Sequence, residues 1–166
     1  MRLEGQGLRG RTIAPGAVGV EDGRVAADAG GPRVAVPPGW TICGGFVDVQ
    51  VNGFGGAEVG EDPDEVAAVA AAPAVGVTAF CPALVSRDEA GYARAARAIA
   101  AVRPALGSAR VLGTHLEGPF LAPTRHGAHD PAVLRAPEPD AVDRLLAAFR
   151  PAVVTLAPEL PGGLAA

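Results

Sequence analysis

The residues able to do chemistry gather between positions 115 and 129. His115-Leu116-Glu117-Gly118-Pro119-Phe120 sets a histidine and a glutamate two residues apart, after the apolar run Arg110-Val111-Leu112 and before a Gly-Pro break. Gly127-Ala128-His129-Asp130-Pro131 follows, so His115, His126 and His129, the three histidines of the chain, share one short segment. A carboxylate buried at the end of a strand needs a cation, an arginine or several hydrogen-bond donors to stay charged. Glu117 is therefore read as a divalent-metal ligand, with a structural acid bonded to loop amides as the alternative. His115 faces the same side of the strand as Glu117. It reads either as a hydrogen-bonding support of that ligand or as a polar contact in the core. His129 sits in a loop above the strand end, as a substrate contact or a solvated loop residue, and His126, beside Arg125, reads as surface.

A second pattern lies upstream. In Phe46-Val47-Asp48-Val49-Gln50-Val51-Asn52 polar and apolar residues alternate, which puts Asp48, Gln50 and Asn52 on one strand face and the valines on the other. Gln50 and Asn52 are thus candidate site contacts. Neutral amides are poor zinc ligands, so hydrogen bonding is their leading role. Gly53-Phe54-Gly55-Gly56 ends the strand; it lacks a P-loop lysine and the dinucleotide spacing.

The elements that must position these residues follow from hydrophobic pattern. Residues 1–42 read as a partial β-subdomain of short strands, with Asp22-Gly23 as a tight hairpin turn between Ala17–Val20 and Arg24–Ala27. Val34-Ala35-Val36 is a further strand and Pro37-Pro38-Gly39-Trp40 a boundary. From Cys43 onward, strands alternate with helices. A helix from Asp64 to about Ala72 should end at Pro73. The strand Gly76–Cys81 should stop at Pro82, and Ser86-Arg87-Asp88-Glu89 forms a capping box. The helix it opens carries Tyr92, Ala95, Ile99 and Val102 at helical spacing, up to Pro104. The Glu117 motif is the third strand. Asp140 caps a third helix with Val142, Leu145, Leu146 and Phe149 on one face, and Val153–Ala157 is the fourth strand.

Four strands joined by three helices predict a parallel, right-handed βαβ array: either a small open α/β sheet or the front half of a barrel, which needs eight strands. The composition is 49% hydrophobic with 4% aromatics, so the core is built of Ala, Val and Leu. A net charge of −4 gives no footprint for nucleic acid or an anionic membrane surface. Cys43 and Cys81 form no metal-binding pair and read as small core hydrophobes in a reduced, cytoplasmic protein.

Five motifs, in order, carry a resemblance: Gly45-Phe46-Val47-Asp48-Val49-Gln50-Val51-Asn52-Gly53, Gly76-Val77-Thr78-Ala79-Phe80-Cys81-Pro82, His115-Leu116-Glu117-Gly118-Pro119-Phe120, Gly127-Ala128-His129-Asp130-Pro131 and Val154-Thr155-Leu156-Ala157-Pro158-Glu159. With them the chain resembles the N-acetylglucosamine-6-phosphate deacetylases of the amidohydrolase superfamily. The resemblance implies a metal-dependent TIM barrel, of which residues 43–166 are the first half, preceded by part of a small β-sandwich. It implies hydrolysis of the acetamide of N-acetylglucosamine 6-phosphate, giving glucosamine 6-phosphate and acetate. Glu117 would bind one divalent ion, zinc first, with iron, manganese or cobalt as substitutes. Ala128 and His129 would contact the sugar phosphate, and the family forms homodimers. Gln50-x-Asn52 stands where related hydrolases carry His-x-His for a second metal. The family's further metal-binding histidines and its general-base aspartate would lie beyond Ala166, so the expectation for these residues alone is weak metal binding and no activity. Two other readings stay open: a metal-dependent hydrolase of cyclic amides, and a non-catalytic half-barrel that pairs with itself or with a separate polypeptide.

Overall fold

The computed structural model of the protein describes residues 1–27, 30–71, 76–103, 105 and 107–164. Contacts divide the chain into two units, Met1–Gly45 and Phe46–Ala166.

The first unit is one sheet. Strands β1 (Arg2–Arg9) and β2 (Thr12–Glu21) form a long hairpin, and β3 (Arg24–Ala26) adds to β2. Asp22 and Gly23, at φ 49° and 72°, make the expected turn, a conformation that favours residues tolerant of positive φ. β4 (Arg33–Ala35) and β5 (Thr41–Ile42) pair parallel to β1. β1 itself escapes the sequence reading because Gly5 and Gly7 interrupt its apolar alternation. Gly5 is needed there, since a Cβ would meet Val36 Cβ at 2.8 Å. Cys43 is exposed, contrary to its reading as a core residue: among the described residues this unit contributes none to the main buried cluster that could enclose a thiol.

The second unit carries that cluster and the parallel sheet. Its strands are β6 (Phe46–Val51), β9 (Val77–Leu84), the pair β10 (Arg110–Val111) and β11 (His115–Glu117), and β12 (Val153–Thr155). β6 pairs with β9, β9 with both β10 and β11, and β11 with β12, all parallel. Between them run α1 (Pro63–Ala71), α2 (Glu89–Ala101) and α3 (Pro139–Phe149). This is the expected βαβ array. A small hairpin, β7 (Gly53–Phe54) and β8 (Ala57–Glu58), follows β6, with Gly55 and Gly56 at positive φ in its turn.

The departures from the predicted elements have local causes. Register shifts between Asp48 and Val51 break the strict alternation of β6: Asp48 pairs with Phe80 but Val51 with Pro82. The Asp48 carboxylate accepts the Gln50 N–H at 3.0 Å, replacing a ladder bond. The third strand breaks likewise, because Val111 faces Phe80 while His115 faces Ala83, one residue too many. Gly113, at φ 145°, takes up the extra length. These two irregularities explain why β9 runs through Pro82 to Leu84 instead of stopping. A proline is tolerated in a strand at bulged positions, where its missing N–H forfeits no regular bond. Asp88, not Ser86, caps α2, with its Oδ1 accepting from Gly91 N–H at 2.6 Å, because the Ser86 hydroxyl is engaged elsewhere. Asp140 does not cap α3: Glu138 holds the cap position without a side-chain bond, and Asp140 falls in the first turn, where its charge favours the helix dipole. Ala72, Pro73 and Pro104, invoked as helix ends, lie outside the described residues.

The core packs α1 (Val66, Val69), α2 (Tyr92, Ala95, Ile99) and α3 (Val142, Leu145) on Phe80, Leu84, Leu116 and Phe120. Tyr92 is wholly buried, its ring tilted against Phe149 at 5.8 Å. Its hydroxyl lies beside Ser86 and the Arg87 backbone but meets no partner in hydrogen-bond geometry. Burial is the main cause that pushes the phenol up to about 12. The folded state therefore binds this proton more tightly than the unfolded chain, whose tyrosine titrates near ~10. Its contribution is fully present below that value and is lost as pH rises towards the folded pKa. Tyr92→Phe should flatten the fall in stability between about pH 10 and 12. At neutral pH it should match or exceed the parent by up to ~1 kcal/mol, because an unsatisfied hydroxyl is removed. Urea titrations across pH check both; a loss above ~2 kcal/mol at neutral pH would mean that the hydroxyl is well bonded.

β6 presents Phe46, Val47 and Val49 at 60, 56 and 49% exposure beside a strand edge unpaired among the described residues. Such an apolar edge promotes association. The chain should sediment as concentration-dependent oligomers, and Val47→Lys should shift it towards monomer.

Candidate active site

The carboxyl ends of β6, β9, β11 and β12 converge on Glu117. In a parallel α/β sheet this end collects the loops, and ligands bind there. The Gln50 side-chain amide donates to Glu117 Oε1 at 2.8 Å, and the Asn52 amide donates to Oε2 at 3.2 Å and to the Ala83 carbonyl at 3.2 Å. Each carboxylate oxygen thus receives one amide donor from β6 or the residue after it. The bulge in β6 aims both amides at the same carboxylate, as bulges near functional sites do.

His115 is buried and bonded at both ring nitrogens. Nδ1 lies 2.8 Å from the Val49 carbonyl and Nε2 lies 2.7 Å from Thr155 Oγ1. A carbonyl only accepts, so Nδ1 carries the proton and Thr155 donates to Nε2. His115 touches neither oxygen of Glu117 by hydrogen bond; its bonds instead join β6 and β12 through β11.

His129 is buried in the opposite state. The Ser86 N–H donates to its Nδ1 at 3.0 Å, and Ser86 Oγ lies 2.8 Å from the same nitrogen. Nδ1 is therefore an acceptor and, in the neutral ring, Nε2 bears the proton. Nε2 stands 3.8 Å from Glu117 Oε1, with the two side chains 8 and 19% exposed. His126 donates through Nδ1 to the His129 carbonyl at 3.0 Å and braces the loop from behind. Asp130 accepts from Ala132 N–H at 2.9 Å and fixes the next turn, while Ala128 is exposed on the loop.

The sequence left Ser86 and Thr155 unassigned to the site. Ser86 reads as part of a capping motif. A position just past the carboxyl end of a parallel strand was the available signal for it, as for Thr155 at the end of β12.

As a metal centre the arrangement offers one anionic ligand. Glu117 keeps a free lone pair on each oxygen for a cation, and its amide donors hold it in place. His129 points a proton, not a lone pair, toward it. Burial and then the nearby Asp48 charge push the Cys81 thiol up, away from the thiolate a metal would need. Among the described residues no three or more His, Cys, Asp or Glu side chains are gathered as a metal site. Glu117 thus fits one position of a divalent ion's shell, where catalytic zinc uses about three protein ligands.

No family model matches the chain. It is 39% identical over 163 residues to the human N-acetylglucosamine-6-phosphate deacetylase, covering 91% of this chain and 38% of that protein. It is 35% identical over 130 residues to the N-acetylgalactosamine-6-phosphate deacetylase of Escherichia coli O157:H7, covering 75% and 34%. Among solved structures it matches the D267A mutant of the Mycobacterium smegmatis N-acetyl-D-glucosamine-6-phosphate deacetylase, in complex with N-acetyl-D-glucosamine 6-phosphate. There the TM-score is 0.79 at 34% identity, over 99% of this chain and 45% of that one. The chain spans about two fifths of the length of the curated relatives it matches. By sequence and by the path of its backbone it belongs to the N-acetylglucosamine-6-phosphate deacetylase lineage.

Proposed function

We propose that the Glu117 cluster is one wall of a metal-dependent site that hydrolyses the acetamide of N-acetylglucosamine 6-phosphate to glucosamine 6-phosphate and acetate. The observation that carries the proposal is the convergence of the Glu117 carboxylate and the His129 Nε2–H, 3.8 Å apart, at the loop-bearing end of the parallel sheet. A single divalent ion, zinc first and iron, manganese or cobalt otherwise, would be held on Glu117. When bound there, it supplies Lewis-acid polarisation and lowers the pKa of water.

This chain's own residues do the rest of the assigned work. Gln50 and Asn52 hold Glu117 in one orientation, so that little reorganisation is left for the reaction. His129 offers its Nε2–H to the acetamide oxygen, where negative charge grows as water adds to the carbonyl carbon. The C–N bond then breaks as the proton taken from water is returned to the departing nitrogen, leaving the amino sugar and acetate. Ala128 and its loop contact the sugar. His115 keeps the strand ends in register behind these groups. The base that accepts the water proton is not assigned to any residue between 1 and 166. In architecture, we read residues 43–166 as the front half of a hydrolase barrel and residues 1–42 as part of its β-sandwich. A homodimer belongs to the same proposal.

A second substrate has specific support. One relative of similar identity is named for N-acetylgalactosamine 6-phosphate, which carries the same acetamide and differs in the sugar. The chemistry assigned to Glu117 and His129 is common to both.

Two measurements test this reading. The first joins this chain to the part of the Mycobacterium smegmatis enzyme that lies beyond the matched region. The fusion should release acetate from N-acetylglucosamine 6-phosphate. Glu117→Gln should bring release to background, and His129→Ala should lower kcat/KM by ~10²-fold, the usual cost of one donor to a developing oxyanion. A folded, zinc-loaded fusion that leaves the substrate intact, or is indifferent to Glu117→Gln, would overturn the proposal. The second titrates Zn²⁺ into the 166-residue chain by calorimetry. Weak binding of one ion, lost in Glu117→Ala, is expected, with no acetate release by the chain alone. Tight binding unaffected by Glu117→Ala would place the ion elsewhere.

A further inference from the structure

Ser86 is a meeting point that the reaction just described leaves without a role. It follows the carboxyl end of β9 and is buried. Its N–H donates to His129 Nδ1 at 3.0 Å; its hydroxyl has one proton and two acceptors in reach, the same nitrogen at 2.8 Å and the Glu117 carbonyl at 3.3 Å, and the shorter contact assigns the proton to Nδ1. The buried Tyr92 hydroxyl is also near it. The backbone makes room for this one oxygen. Gly118 adopts φ 89°, and a Cβ there would fall 2.1 Å from Ser86 Oγ. A side chain at position 118 and a seated Ser86 hydroxyl exclude each other.

We propose that Ser86 is a positioning residue: its N–H and its O–H both donate to His129 Nδ1, which locks the imidazole as the Nε2–H tautomer and turns that proton toward Glu117. The two donors act on one nitrogen, so neither a flipped ring nor the other tautomer can satisfy both. With the hydroxyl gone the backbone N–H alone holds Nδ1, and the ring gains freedom to rotate and to exchange its proton. The value of this arrangement for catalysis rests on the role proposed above for His129. The tautomer itself does not, and it can be read without metal, substrate or turnover.

The experiment records long-range ¹H–¹⁵N correlations of the histidine side chains in the ¹⁵N-labelled 166-residue chain, at a pH above the titration range of histidine. The contacts assign opposite signatures: Nδ1–H for His115 and His126, Nε2–H for His129 alone. His126→Gln and His129→Gln assign the signals. Ser86→Ala should turn the single-tautomer pattern of His129 into an exchange-averaged one and leave His115 unchanged. Ser86→Thr, which keeps both donors, should restore it. His115 is the internal control, because a general loss of fold averages both rings and a loss of positioning averages one. Three results overturn the proposal: a dominant Nδ1–H or an averaged His129 in the parent chain, a His129 pattern unmoved by Ser86→Ala, or averaging of His115 together with His129. Failure of the proposed deacetylation would leave all of these readouts as they stand.

Discussion

The buried imidazole of His115 is the constraint on which the rest of the parallel sheet depends. It sits on β11 and reaches the Val49 carbonyl of β6 on one side and Thr155 of β12 on the other. β9 lies between β6 and β11 in the sheet, so the first of these bonds spans a strand. A regular ladder would hide the Val49 carbonyl in a backbone bond. The irregular register of β6 leaves it available, and the break before His115 brings the ring to the level where it can be met. The ring itself is buried, so both of its nitrogens need a partner. Leaving either unpaired would cost ~1–3 kcal/mol, a large share of the stability of a small domain. The bond therefore fixes where the strand ends stand relative to one another, and with them the groups those ends carry.

That placement is what makes the Glu117 site possible. Gln50 and Asn52 reach its two oxygens only because β6 is held against β9 at the shifted register. His129 arrives from a loop, where positions are softer, and is held instead by Ser86 at the end of β9. The two histidines thus have different jobs and opposite proton positions. One is closed on both sides by the fold; the other is closed on one side and left open on the side facing the carboxylate. A single rule of hydrogen bonding, that a carbonyl accepts and an amide N–H donates, separates them.

Much of this was legible in the residues. Helical spacing in Tyr92, Ala95 and Ile99, and in Val142 and Leu145, marks the faces that are buried. The position of Glu117 at a strand end, the Gln50-x-Asn52 pair and the Asp22-Gly23 turn were each visible as short-range patterns with a physical reason. What escaped depends on partners distant in the chain. Ser86 reads as a helix cap until His129, 43 residues on, claims it. Pro82 reads as a strand end until the irregular strands on both flanks are seen. His115 is ambiguous in sequence because its character is set by Val49 and Thr155. No local pattern contains those two contacts.

Several of the places where local rules fail touch Glu117 or the residues bonded to it. The bulge of β6 carries Gln50, which bonds Glu117; Asn52, just past it, bonds both Glu117 and the Ala83 carbonyl beside Pro82; and Gly118 follows Glu117 directly and leaves room for Ser86 Oγ. Regular parallel strands would bury every carbonyl in a ladder and point side chains by simple alternation. A site that needs two amides on one carboxylate, a strand-crossing imidazole and a second imidazole of fixed tautomer cannot be built by alternation alone. Each irregularity frees a group or turns a side chain, and the regular core of Val66, Leu84, Ala95, Leu116 and Leu145 supplies the stability that such departures consume. The irregular backbone of β6 and the positive φ of Gly118 are thus what let two amides and a buried imidazole approach one carboxylate.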